Sequence, residues 1–393
     1  MKSPVVQPKI VFVGHVARLS GGELALLRTL PPLLPEITAT VVLAETGPLV
    51  GALEELGVRV IVLPLAGSVR DARRTQVTSG RVPWRDAWDL TTYVLRLARL
   101  LRVLQADVVH TNTLKAAVYG GLAGRLARIP VVWHVRDRIA PDYLPGSAVR
   151  VIRLLARVLP TAVIANSLST LSTLPDPRRW GGLRGTVVSN ALVPDSVVRP
   201  APPGDRSRGV LTVGVVGRLS PWKGQHVFLA ALAQAFPRDG VRGRLIGSAM
   251  FGEEAYEAGL LAQIEELELT GTVELRGFRA DVWAELAELD LAVHCSTLPE
   301  PFGQVVLEAM AAGVPIIASA EGGPAEIIRH GIDGWLVPPR DPAALAEALQ
   351  HLAADEDLRA RLVAEGRRTA ATYTAERTSA GILEVYRSVL AER

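Results

Sequence analysis

Apolar positions along this chain come in two textures. Short β-branched runs alternate with longer stretches in which apolar residues recur every three or four positions. Seven short runs come first: Lys9–Val13, Ala39–Leu43, Val58–Leu63, Val108–Thr111, Val131–His134, Ala162–Ala165 and Thr186–Ser189. Six more follow: Leu211–Val216, Gly243–Ile246, Val273–Arg276, Leu291–His294, Ile316–Ala318 and Gly334–Val337. Nearly continuous apolar runs with helical patterns between them predict parallel strands, buried on both faces, in βαβ units. Between the two series, Arg199 to Arg208 carries three prolines and a glycine and reads as a linker. The expected fold is therefore α/β, with two doubly wound Rossmann-like domains at residues 1–198 and 209–373 joined by 199–208. A final helix is expected over 374–393, with Ile382, Leu383, Val385, Tyr386 and Leu390 along it and Thr374 placed to cap it.

Composition narrows the class. A chain of 393 residues is too long for one typical core and suits two. Hydrophobic content of 49% against 21% charged describes a folded rather than a disordered chain. No apolar stretch reaches about 18 residues, so no transmembrane helix is expected. The first residues lack the apolar segment of a secretory leader. The single cysteine, Cys295, excludes an internal disulfide and a cysteine-based zinc site, which fits a cytoplasmic protein. A net charge of +3, with no basic run interleaved with aromatics, argues against a nucleic-acid partner. Of 43 cationic side chains only Lys2, Lys9, Lys115 and Lys223 are lysine, a bias that a GC-rich genome explains. Lys223 stands out because it lies inside a glycine-rich loop, where a compact ammonium has a use of its own.

The chemistry concentrates where strands of the second series end. Leu211–Val216 runs into Gly217-Arg218-Leu219-Ser220-Pro221-Trp222-Lys223-Gly224 and then an apolar helix from His226 to Phe236. Glycines admit a ligand close to the backbone, and Arg218 and Lys223 suit diphosphate oxygens; the alternative is a loop whose cations face water. Leu291–His294 leads to Glu300-Pro301-Phe302-Gly303 and a helix over Val305–Ala312 that contains Glu308. That turn offers bare amides and the positive end of a helix to a phosphate, with a carboxylate on either side for hydroxyl groups. An ordinary βα loop with two solvated acids is the plain alternative. Arg276-Gly277-Phe278-Arg279-Ala280-Asp281 and Glu321-Gly322-Gly323-Pro324 add two further glycine turns at the same expected sheet edge. His294 and Cys295, at a strand end, read as core residues without a chemical role.

Taken together, these loops resemble the donor half of GT-B glycosyltransferases, specifically glycosyltransferase family 4, over almost the whole second domain. The resemblance implies a cleft between two domains, a terminal helix that returns to the first, and a retaining transfer of sugar from a nucleoside-diphosphate donor. It implies that Arg218 and Lys223 neutralise the leaving diphosphate. Glu300 would hold donor-sugar hydroxyls, the amides of Phe302, Gly303 and Gln304 would support sugar and phosphate, Glu308 would bind the ribose, and residues near Arg279 would line the base. The family often has Ser or Glu where Trp222 stands, a departure of little weight if that side chain points outward. No Asp-x-Asp pair marks a metal site, so neither metal nor cofactor is expected beyond the nucleotide-sugar co-substrate.

The first domain is then expected to carry the acceptor. Gly21-Gly22, before the helix Leu24–Leu30, does not follow the dinucleotide spacing; it reads either as bare amides beneath diphosphate or acceptor, or as a helix start capped by Ser20. His134, at a strand end, reads as a core histidine or as a donor to a sugar hydroxyl, and the resemblance favours the second. Asn112, Asn166, Ser167 and Asn190 share that edge, with Asn166 and Ser167 better read as turn and cap residues. Arg70, Arg73, Arg74 and Arg81 precede a helix over Trp84–Leu104, in which Trp84, Trp88, Val94, Leu95, Ala98 and Leu101 form an apolar stripe and Arg96, Arg99 and Arg102 another side. This basic region is either a solvated face or a peripheral contact with anionic lipid at the inner membrane face. The acceptor is a lipid, a polysaccharide or a small product. Two rival functions fit less well. An epimerase would need an acid set in the first domain, and a sugar-binding protein would leave the paired cations idle.

Overall fold

Strands β1 (Lys9–Gly14), β2 (Thr38–Leu43), β3 (Arg59–Val62), β4 (Val108–Thr111), β5 (Val131–Val135), β6 (Ala162–Ala165) and β7 (Arg184–Val187) form one sheet in the order β3-β2-β1-β4-β5-β6-β7. Every neighbouring pair is parallel. The computed structural model describes residues 7–65, 84–175, 184–192, 210–237, 240–250 and 252–392. Within it the chain divides into two units, residues 1–191 with 375–393, and residues 192–374. The segments carrying Arg70, Arg73, Arg74, Arg81 and the expected linker 199–208 lie outside the described residues.

The period of two along each strand sorts its side chains into two cores. Phe12, Val41, Val108, Val132 and Ile164 face one; Val11, Val42, Val109, Trp133 and Val163 face the other. Helices α1 (Gly21–Leu33) and α2 (Pro48–Glu55) close the first core; α3 (Trp84–Val103), α4 (Leu114–Ala127) and α5 (Gly146–Leu155) close the second. The short α6 (Leu168–Leu171) follows β6, capped by the Ser167 hydroxyl, which accepts from the Thr170 amide.

The second unit repeats this logic with β8 (Leu211–Val216), β9 (Val241–Ile246), β10 (Val273–Gly277), β11 (Leu291–His294), β12 (Ile316–Ser319) and β13 (Trp335–Val337), ordered β10-β9-β8-β11-β12-β13 and parallel throughout. Its helices are α7 (Gln225–Ala235), α8 (Glu254–Glu266), α9 (Val282–Ala287), α10 (Gln304–Ala312), α11 (Pro324–Ile327), α12 (Pro342–Ala354) and α13 (Glu356–Ala370). In both sheets the strand order reverses beside the first strand, at β1/β4 and β8/β11. Such switch points open a crevice at the carboxyl ends of the strands.

The last helix, α14 (Ala375–Ala391), belongs to the first unit. Ile382, Val385, Tyr386 and Val389 recur at helical spacing and enter the core that α1 closes. The Ser379 hydroxyl donates to the Thr29 carbonyl at 2.9 Å and the Thr378 hydroxyl to the Ser189 carbonyl at 2.9 Å.

Three local readings need correction. β7 lies two residues earlier than expected because the ladder pairs Ala162 with Arg184 and Ala165 with Val187. α1 begins at Gly21 and runs through Pro31 and Pro32, whose missing N–H groups fall in its last turn. In α3 the inward face is Tyr93, Val94, Leu97, Ala98 and Leu101, whereas Trp88 and Leu95, one heptad apart, are 68% and 57% exposed. Among the described residues no helix is long and apolar enough to cross a membrane.

Candidate active site

The switch point of the second sheet gathers an ion cluster. After β8 the chain makes a 3₁₀ turn at Pro221–Lys223 and enters α7 through Gly224 in the left-handed region, at φ 74°. A Cβ on Gly224 would lie 1.9 Å from the Cys295 carbonyl oxygen, so the loops after β8 and β11 touch backbone to backbone. That contact brings Lys223 Nζ to 2.8 Å from both carboxylate oxygens of Glu300. Glu300 Oε2 also accepts from His294 Nε2 at 2.6 Å and from the Ser296 hydroxyl at 3.0 Å. Burial alone would raise the Glu300 carboxyl; Lys223 and His294 more than offset it and hold the group well below the usual carboxylate range. Glu300 is ionised at neutral pH, which makes His294 Nε2 the donor and leaves His294 Nδ1 buried without a partner.

By sequence His294 reads as core. It is buried, at 5% exposure, yet it shares a carboxylate with Lys223. The legible signal was His294 and Ser296 at alternate positions where an otherwise apolar strand ends. Cys295 is the core residue of that segment; burial pushes its thiol up to about 12, which keeps it protonated and inert. Trp222 is half-buried rather than directed outward, and the Lys223 ammonium sits 4.5 Å from its ring centroid.

Phe302 is buried in the core beneath α10. Gly303 is the N-cap of α10 and supplies no side-chain cap, so the first-turn amides of Gln304 and Val305 gain no side-chain acceptor from it. Gln304 Nε2 is likewise buried without a hydrogen-bond partner. Glu308, 7% exposed, lies one turn further along the same helix face. The buried Gln304 Nε2 and a helix N-terminus between two acids have the chemistry to meet an anion that carries hydroxyl groups.

One expected member plays another part. Gly322 pairs with Glu300 in a parallel bridge, and the Gly323 amide donates to the Glu300 carbonyl at 2.8 Å. This turn buttresses the Glu300 loop instead of offering the Gly323 amide to phosphate, and α11 behind it is a single turn. Arg279 follows the edge strand β10, where its Nε lies 3.2 Å from Glu285; Arg276 engages the same carboxylate at 3.0 Å. Arg218, directly after β8, is half-buried, and its carbonyl accepts from Gln225 Nε2 at 3.0 Å.

The switch point of the first sheet holds a second polar group. Ser20 is the N-cap of α1 but does not cap it; its hydroxyl donates to the Glu23 carboxylate, whose pKa burial raises. The amides of Gly21 and Gly22 open the helix. Asn112 Nδ2 donates to the Gly22 carbonyl at 2.9 Å, and Arg136 reaches Asn112 Oδ1 at 3.3 Å and also Asn190 Oδ1. His134 is 2% exposed, with Nδ1 3.2 Å from His110 Nε2 and 3.4 Å from Arg136 Nη2. Its Nε2 is buried without a partner. Arg136, which the sequence reading passed over, is the hub that ties Asn112, Asn190 and His134 together.

Two parallel doubly wound units, with a cation–carboxylate cluster at the switch point of the second, define the GT-B class. Residues 206–369 match the family described as "Glycosyl transferases group 1", and residues 48–191 match "Glycosyltransferase Family 4". The chain is 30% identical to the D-inositol 3-phosphate glycosyltransferase of Thermobispora bispora over 320 residues, covering 76% of this chain and 74% of that protein. It is 33% identical over 280 residues to an exopolysaccharide phosphotransferase of Streptomyces coelicolor, covering 70% of this chain and 28% of that much longer protein. Among solved structures, Anabaena HepE in complex with UDP superposes with a TM-score of 0.80 at 30% identity, covering 97% of this chain and 100% of that one. The chain belongs to family 4 of the GT-B glycosyltransferases and is a glycosyltransferase. The comparisons lend the epimerase reading no support.

Proposed function

We propose that this glycosyltransferase moves a hexosyl group from a uridine-diphosphate sugar to an acceptor hydroxyl, with retention at the anomeric carbon and without a metal ion. The observation that carries the reading is the Lys223–Glu300–His294 cluster beside the uncapped start of α10. Lys223 and Arg218 neutralise the diphosphate as it leaves, and the α10 amides take up the remaining charge. Glu300, fixed in its ionised form, accepts hydrogen bonds from sugar hydroxyls, and Glu308 binds the ribose. His134 donates to a further sugar hydroxyl. The acceptor oxygen bonds to the anomeric carbon on the face from which the phosphate departs; the C–O bond to phosphate breaks, and the acceptor proton passes to the departing phosphate oxygen. Uridine is favoured because the HepE structures at 30% identity hold UDP and UDP-glucose.

Thermal stabilisation by UDP-, GDP- and dTDP-sugars, followed by turnover, tests this. A UDP-hexose at about 100 times its Kd should stabilise the fold by about 2.7 kcal/mol. EDTA should leave the rate unchanged, and NMR of the product should show the donor's anomeric configuration. A rate abolished by EDTA and restored by magnesium, or an inverted product, would overturn the mechanism.

We also propose peripheral contact between α3 and an anionic membrane face, in keeping with a cytoplasmic protein. Its outward side sets exposed Trp88 and Leu95 beside exposed Arg96 and Arg99, apolar and cationic together. Co-sedimentation with phosphatidylglycerol vesicles should fall several-fold in the Trp88→Ser, Leu95→Ser double variant; equal binding by both proteins rules the surface out.

A further inference from the structure

Tyr386 of α14 closes a buried chain of hydrogen bonds inside the first unit. Its hydroxyl is 2.7 Å from His110 Nδ1, and His110 Nε2 is 3.2 Å from His134 Nδ1. Tyr386, His110 and His134 are 1%, 1% and 2% exposed. Arg136 Nη2 completes the chain, 3.4 Å from His134 Nδ1. A guanidinium only donates, so it sets the direction of every bond in the chain. His134 Nδ1 must be an acceptor; otherwise two N–H groups would face each other. His110 Nε2 must then carry a proton and donate it. His110 Nδ1 is left as the acceptor that the Tyr386 hydroxyl fills. Burial keeps the members in the states this requires: it lowers His110 to about 3, lowers His134 as well, and raises Tyr386. Both rings are neutral, and the phenol keeps its proton.

We propose that Tyr386 is a positioning residue which, by donating to His110 Nδ1, adds to Arg136 in holding His134 in the tautomer with its proton on Nε2. His134 then presents a donor and has no lone pair to offer there. It binds a sugar oxygen that accepts a hydrogen bond and cannot serve as a general base. The buried Nε2 without a protein partner is where that ligand oxygen fits. The functional half of this inference rests on the reading of His134 as a sugar contact.

The tautomer is read directly by long-range ¹H–¹⁵N correlation on protein labelled with ¹⁵N-histidine. His134 should show a protonated Nε2 and a bare Nδ1 in the wild type, and a measurably larger share of the other tautomer in Tyr386→Phe, where Arg136 alone opposes it. Turnover of Tyr386→Phe should fall about tenfold, the worth of one lost hydrogen bond, with KM little changed. In a His134→Gln background, whose amide donates from the Nε2 place in any tautomer, the same tyrosine substitution should cost almost nothing. A bare Nε2 in the wild type, or an equal loss in both backgrounds, overturns the relay. Wild-type turnover in His134→Ala beside the assigned tautomer removes the sugar contact and leaves the relay standing.

Discussion

Lys223→Ala is expected to lower kcat by about 10²–10³-fold, the loss seen when one charge-stabilising donor is removed from an active site. Its second effect, invisible in the sequence, is on stability. Lys223 and Glu300 side chains are 15% and 12% exposed, and Lys223 spans both carboxylate oxygens. Breaking a buried pair strands the remaining charge at a cost of about 3–5 kcal/mol; His294 and Ser296 still hold Glu300, which points to the lower figure. The variant should therefore melt several degrees early as well as turn over slowly. Adding Glu300→Gln removes the stranded charge and should recover much of the melting temperature while recovering none of the turnover. The pH dependence follows in sign. A carboxyl held below its ordinary value of 4.5 contributes stability that is full above that pH and is lost only as pH falls further. Melting curves of wild type and Glu300→Gln should thus converge as acid is added below about pH 4.5. A Lys223→Ala enzyme with native kcat would remove the lysine from the mechanism.

What could be read in advance was what periodicity carries. Each of the thirteen strand readings has a counterpart: the central parallel strands, buried on both faces, are apolar along their length, and the edge strands β3, β7 and β10 keep only part of that pattern. The loops at Gly217–Gly224 and Glu300–Gly303 were found because glycine, lysine and acid in short order have few uses. What escaped was lateral. His294 looked like core because it is buried; only the fold shows which carboxylate shares its burial. Arg136 is one arginine among many until the sheet sets Asn112 and Asn190 around it. Tyr386 and His110 are 276 residues apart, and no helical spacing on α14 could announce that a core tyrosine holds a histidine on the sheet face it covers.

Gly322-Gly323 shows the same limit and leads to the second large effect. Glycine pairs at strand ends suggest bare amides for a ligand, but here the need is space. A Cβ on Gly323 would lie 2.1 Å from the Phe302 carbonyl oxygen and 2.4 Å from its carbon. The Gly323 backbone is ordinary right-handed helix, φ −59° and ψ −37°, so alanine there brings no conformational strain and the whole effect is collision. Phe302 is 5% exposed and wedged in the core, so the Glu300–Gly303 loop can yield only outward, carrying Glu300 away from Lys223. A shift of about 1 Å in a positioning loop costs on the order of 10²-fold in rate. Gly323→Ala is therefore expected to lose about that much kcat and to melt early. Gly331→Ala separates collision from strain: Gly331 has φ 73° with nothing within 4 Å, so alanine there costs only about 1–2 kcal/mol of stability and should spare kcat. Equal turnover in both variants would mean that the Glu300 loop does not depend on its glycine buttress for its place.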